Sequence, residues 1–191
     1  MRAVLLIGIH REELAFGEAV AAGLDPARIA LLRIPMGVSG TRPSAAQAFY
    51  YRTNHREIYS QVLTQVRGRY DLVLDLHAGV NEPGRCADWI AGDRRLLARL
   101  LGDWDTAALA SAPPGARPPV RGLLLTAPDT PLTVVAPLVR THTVIPKAIW
   151  RNDAFRYLGL EVYLPAPGPG TGPDWAFARG LIEQALICAE T

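Results

Sequence analysis

Residues 3–9 read Ala-Val-Leu-Leu-Ile-Gly-Ile, a run without one polar side chain. A strand with one wet face alternates apolar and polar residues. A strand apolar at every position must be covered on both faces. That need excludes a simple hairpin with a solvated side and points to a sheet sandwiched between helices. Mostly apolar runs return at 28–34, at 71–76 (Asp-Leu-Val-Leu-Asp-Leu) and at 159–164 (Gly-Leu-Glu-Val-Tyr-Leu).

Helical stretches separate these runs. Residues 12–23 open with two glutamates and close on Gly23, both helix-boundary signals. Ser44 can cap a helix that begins at Ala45 and continues to Val66. Residues 94–109 place Leu96, Leu97, Leu100, Leu101 and Trp104 on one side of a helix. Asp174 can cap a last helix over 175–189. Residues 87–91, and the shorter 123–126 and 133–135, complete the expected strands. Loops are expected at 35–43 and at 111–119, where glycine or proline breaks the pattern. Alternating strands and helices predict a three-layer α/β fold, with a mixed, mostly parallel sheet and helices on both faces. A chain of 191 residues without repeat or long linker is expected to form one domain, 1–191.

Composition narrows the function. The formal charge of +2 is too small to mark a nucleic-acid binder. No run approaches the ~18 apolar residues of a membrane span. The apolar opening runs straight into His10-Arg11-Glu12-Glu13, which does not suit a secretory leader. Two cysteines, Cys86 and Cys188, make neither a disulfide framework nor a zinc pair. A reducing, cytoplasmic compartment is therefore expected. There is no HExxH helix, no Gly-x-Ser-x-Gly elbow, and no lysine in the Gly168–Gly172 stretch to make a phosphate loop.

Chemistry gathers beyond the carboxyl ends of strands in sheets of this kind. Three polar clusters stand there. His10 leaves the first strand with Glu13 three residues on, and an imidazole and a carboxylate so placed can share a metal ion. The plainer reading, a loop histidine and an acidic helix start, has the better claim for this cluster alone. Asp75 and His77 lie two apart and share a face. An aspartate inside an apolar strand needs a partner, and orienting a ligand histidine would supply one. A strand-end histidine bonded to backbone explains His77 equally well in isolation. Glu161 interrupts an apolar run. Partial burial would raise its pKa towards the range of a general base, while an edge strand facing water would leave it ordinary. Together the clusters describe a zinc ion with two histidines, one glutamate and an open position, beside a second glutamate.

These residues resemble a known family. Gly8-Ile9-His10-Arg11-Glu12-Glu13 is similar to the Gly-x-His-Gly-x-Glu motif of the aspartoacylase and succinylglutamate desuccinylase enzymes, within the zinc carboxypeptidase superfamily. Asp75-Leu76-His77 resembles their Asp-Leu-His, and Gly159-Leu160-Glu161-Val162 their Gly-Ile-Glu-Val. The resemblance implies a zinc carboxypeptidase-like fold and one zinc ion held by His10, Glu13 and His77. It implies Glu161 as general base and acid, and Arg151 as the residue that grips a substrate carboxylate. Arg151 as a surface residue beside Trp150 is an equal alternative.

The chain departs from the family at Arg11, which replaces a glycine. The Asp-x-Asn-Arg motif is missing, and Arg42, Arg52, Asn54 and Arg56 are its candidate replacements. Glu12 adjoins Glu13, so the ligand could be either. About thirty residues follow Glu161, too few for the β-rich second domain of the relatives; the pocket is then completed by the chain's own loops or by a neighbouring copy. The expected function is hydrolysis of an amide in an N-acyl amino acid or small peptide, on a carboxylate-bearing substrate. The competing expectation is a carboxypeptidase-like domain that binds metal or ligand without turnover. Neither nucleic acid nor membrane is an expected partner. Cys86 beside Arg85 reads as an ordinary loop thiol, and His55 as a solvated residue of a polar helix.

Overall fold

A computed structural model describes every residue except 40–43, 45–46, 81, 83–84, 110–118, 128, 133, 136–137 and 191. The elements are β1 (Ala3–Ile7), a 3₁₀ turn (Arg11–Glu13), α1 (Leu14–Ala21), β2 (Ile29–Arg33), α2 (Ala48–Val66), β3 (Leu72–Gly79) and β4 (Cys86–Ala91). Then follow α3 (Arg94–Leu109), β5 (Val120–Leu125), β6 (Val134–Val135), β7 (Leu138–Thr141), α4 (Lys147–Trp150), β8 (Arg156–Tyr163) and α5 (Gly172–Glu190).

Among the described residues the strands form one eight-stranded sheet in the order β2-β1-β3-β8-β4-β5-β7-β6. β2, β1, β3 and β8 are mutually parallel. β4 turns against β8, β5 and β7 run with β4, and β6 turns back on β7. The sheet is therefore mixed and mostly parallel, as the strand–helix alternation predicts. β1 is buried at all five positions because neighbours flank it on both edges and helices cover both faces.

Alternation divides the strands between two cores. On one face Leu5, Ile7, Leu74, Leu76, Trp89 and Leu160 pack under α1, α3 and α5, through Phe16, Leu97, Leu100 and Leu181 among others. On the other, Val4, Leu6, Val73 and Tyr157 pack under α2 and α4, through Tyr59, Val62, Val66 and Ile149. Each fully buried leucine or valine contributes on the order of 1.5–3 kcal/mol. No helix among the described residues is long and apolar enough to cross a membrane.

Several boundaries differ from the sequence expectation. The segment expected as one helix from Glu12 begins as a 3₁₀ turn, because the Glu13 N–H bonds back to the His10 carbonyl at 3.0 Å. β8 starts at Arg156, three residues before the expected start at Gly159. β7 and α4 were not anticipated. Asp174 is not the cap of α5 but sits inside its first turn. Its Oδ2 accepts the Thr171 N–H at 2.9 Å and hydroxyl at 2.6 Å, so Thr171 and Asp174 lock the helix start together. Cys86 is a buried strand residue rather than a loop thiol.

Candidate metal and hydrolytic site

The site begins where β1 stops. Gly8 has φ of +83°, and a Cβ there would meet the Ile34 carbonyl oxygen at 2.5 Å, so only glycine makes this exit from the strand. Val38 then clamps the departing chain: its N–H bonds to the Ile9 carbonyl at 2.9 Å and its carbonyl accepts the Arg11 N–H at 3.0 Å. The 3₁₀ turn sends Arg11 and Glu12 outward and folds Glu13 inward beneath His10. Glu12 pairs with Arg11 and accepts the Ser39 hydroxyl at 2.8 Å on the surface. Glu13 is thus the glutamate that faces the histidines, and the Arg11 charge points away from them.

β3 lies beside β1 and brings His77 to the same point. Glu13 spans the two rings, with Oε1 2.7 Å from His10 Nδ1 and Oε2 2.9 Å from His77 Nδ1. One ligand atom from each of His10, Glu13 and His77 lies within 4.8 Å of the others. Burial pushes the Glu13 carboxyl up, but His77 and His10 outweigh it and hold the group at about 2. Burial pushes His77 down; Asp75 and Glu13 reverse this and raise it well above its ordinary value. Two imidazole nitrogens and a carboxylate oxygen are a donor set that suits zinc, and three protein ligands leave one position open. The residues fit such an ion.

Each histidine has a partner behind it. Asp75, fully buried, accepts the Tyr59 and Tyr157 hydroxyls on Oδ2, both at 2.7 Å. Its Oδ1 lies 3.2 Å from His77 Nε2, near enough to pair by charge, though not aligned as a hydrogen bond. Behind His10 stands His55, with the two Nε2 atoms 3.0 Å apart. The expectation of a solvated His55 is wrong, since the residue is 2% exposed. His55, Tyr59, Val62 and Val66 are the buried face of α2. That helical spacing was the signal that could have placed His55 inside.

Sheet register brings in the fourth residue. Glu161 pairs with His77 across β3 and β8, and with Asp88 across β8 and β4. Asp88 in turn pairs with Arg121 on β5. One row on one face therefore reads His77, Glu161, Asp88, Arg121. Asp88 is closed off by a two-pronged ion pair with Arg121, at 2.7 and 2.6 Å, and by the Tyr163 hydroxyl at 2.9 Å. Glu161 has no hydrogen bond among the described residues. Burial raises its pKa, Glu13 and Asp88 push in the same direction, and His77 and His10 offset only part. A carboxyl so placed favours holding a proton and can pass one on.

A cavity of about 190 Å³ opens at the His77 and Glu161 end of this row. Its lining includes His10, His77 and Glu161, the apolar Ile90, Leu123 and Leu125, and His142 and Ile145 from the loop after β7. Arg151 is exposed and lines a different hollow, with Asp93, Trp150 and Asn152. Arg52, Asn54 and Arg56 are exposed on α2, and Arg42 lies outside the described residues.

No described protein family matches the sequence, and no curated protein matches it closely enough to count as a relative. Solved structures with a similar layout include murine aminoacylase 3, at 14% identity and a TM-score of 0.48, covering 100% of this chain and 64% of that one. They also include the CwlD amidase of Clostridioides difficile, solved with the GerS lipoprotein, at 8% identity and a TM-score of 0.40, over 99% of this chain and 94% of that one. A candidate metallopeptidase of Shewanella denitrificans aligns at 15% identity and a TM-score of 0.41, over 100% of this chain and 75% of that one. The chain thus spans less than two thirds of the aminoacylase.

Proposed function

We propose that the protein is a zinc-dependent hydrolase that cleaves an amide bond, with His10, Glu13 and His77 as metal ligands and Glu161 as proton carrier. One observation carries the reading: both Nδ1 atoms converge on the two oxygens of Glu13, while Glu161, one strand away, faces the same cavity. Zinc bound there would polarise the scissile carbonyl and lower the pKa of a bound water. Glu161 takes the proton released by the attacking water and delivers it to the departing amine nitrogen. Burial and the neighbouring carboxylates raise its pKa, which makes it a stronger proton acceptor than an ordinary glutamate. Asp75 holds the His77 ring, and two tyrosines hold Asp75, so the ligand cannot swing away from the cavity.

The cavity wall supports a choice of substrate. Ile90, Leu123 and Leu125 suit an uncharged apolar group beside the scissile bond, and about 190 Å³ suits one side chain rather than a polymer segment. An N-acyl amino acid with an apolar side chain meets this and carries the expected carboxylate.

The test is metal content of the purified protein, followed by hydrolysis of a panel of N-acyl amino acids and short peptides. Glu161→Gln is the control. Zinc at one per chain, and hydrolysis lost in Glu161→Gln, is the expected result. Absence of zinc from the native protein overturns the reading. Zinc without turnover on any amide leaves a metal-binding domain and overturns the enzyme.

A further inference from the structure

We propose that His55 is a positioning residue that sets which nitrogen of His10 meets the metal, as a neutral counterpart to the charged Asp75 behind His77. The inference rests on the metal-site reading above.

His55 Nδ1 is 2.9 Å from the Tyr51 carbonyl oxygen, which can only accept. Nδ1 therefore carries the hydrogen. The neutral ring is left with a lone pair on Nε2, and that lone pair faces His10 Nε2 at 3.0 Å. Two lone pairs at this distance would repel, so a proton must stand between them. His55 cannot supply it without becoming a cation buried against the His10 ring. The proton therefore belongs to His10 Nε2, which donates to His55. With its hydrogen on Nε2, His10 has the lone pair of Nδ1 left for a metal ion, 2.7 Å from Glu13 and on the same side as His77 Nδ1. A cation bound there would stand between that lone pair and the Glu13 carboxylate, where the metal-free protein needs a shared hydrogen. His55 thus selects the tautomer of His10 and fixes its ring plane.

The two backing groups differ in charge. Asp75 places a carboxylate behind His77 and strengthens that ligand electrostatically. His55 places an uncharged acceptor behind His10 and adds orientation alone. A residue present for packing would need no such atoms: the next inward positions on α2 are Tyr59, Val62 and Val66, and two of these are purely apolar.

The experiment compares zinc release to a competing chelator in wild-type protein, His55→Gln and His55→Leu, with thermal unfolding of each metal-free protein beside it. Glutamine can accept from His10 and donate to Tyr51; leucine can do neither. The expected result is zinc affinity about 10–100-fold weaker in His55→Leu, in line with the usual cost of losing an outer partner. His55→Gln should hold zinc within about threefold of wild type, a recovery expected because glutamine keeps both the acceptor and the donor. The metal-free unfolding temperatures should not follow that order. Equal zinc affinity in wild type and His55→Leu overturns the inference, as does a His55→Gln no better than His55→Leu. Should His55→Leu fail to fold, nitrogen NMR of zinc-loaded wild type decides instead. Protonated Nε2 on His10 supports the assignment, and zinc on Nε2 overturns it. Wild-type protein that binds no zinc overturns the metal reading itself, a failure distinct from the others.

Discussion

Leu72, Leu74 and Leu76 stand on one face of β3, and Val73, Asp75 and His77 on the other. β8 repeats the division, with Leu158, Leu160 and Val162 against Tyr157, Gly159 and Glu161. The first face meets three helices and is apolar throughout. The second meets two and carries Asp75, His77 and Glu161, the groups these two strands give to the proposed chemistry. One backbone thus holds structure and reactivity a single residue apart. Because side chains alternate, a change on one face should leave the other nearly untouched.

The sharpest break of that comparison is Glu161→Gln. Turnover should fall by about 10²–10⁴-fold, the usual worth of a positioned base, with zinc retained. Steady-state kinetics and metal analysis check it; loss of zinc along with activity would mean that Glu161 is structural. Its neighbour gives the reverse. Leu160→Ala should cost about 2–5 kcal/mol of stability in urea unfolding, as buried leucines do. The folded fraction should still bind one zinc. Smaller again is Tyr157→Phe, which removes one hydrogen bond to a buried carboxylate and should cost about 1.5–3 kcal/mol. It should also weaken zinc binding, since Asp75 loses part of its anchor.

The pH dependence of the metal-free protein sharpens the contrast further. The Glu161 pKa is raised in the fold above its ordinary value of 4.5. On rising pH the unfolded chain ionises first, so the fold loses stability from about pH 4.5 upward until its own carboxyl titrates. Glu161→Gln should abolish that loss and gain on wild type across the window. Unfolding free energies at several pH values, with chelator present, measure the difference. Smallest of all, Arg151→Ala should change KM by less than about twofold, in keeping with a surface change within ±0.5 kcal/mol. A larger rise in KM would bring Arg151 into the substrate site.

Much of the site was readable because it lies at strand ends. His10, Asp75, His77 and Glu161 each interrupt or terminate an apolar run, and such interruptions show in one dimension. The 94–109 helix was equally plain, since its leucines keep one spacing. His55 was not recognised, because its neighbours Asn54, Arg56 and Glu57 make the segment look wet and only one face turns inward. Tyr59 and Tyr157 were silent for another reason: they meet at Asp75 through contacts 16 and 82 residues long, and only the docked sheet brings them together. The pairing of Asp88 with Arg121 depends on strand register, which composition does not encode. β7 is four residues long, with its inward side held by Leu138 alone.

The position of β8 has a consequence for how the protein is made. It comes late in the chain yet fills the middle of the sheet, between β3 and β4. Until the ribosome has released residues 156–163, the β3 and β4 edges have no strand between them, and each is an open template for the wrong partner. The proposed ligands His10, Glu13 and His77 are synthesised before the proposed proton carrier, Glu161. On the proposed reading, the insertion that seals the sheet is the same event that brings Glu161 beside His77.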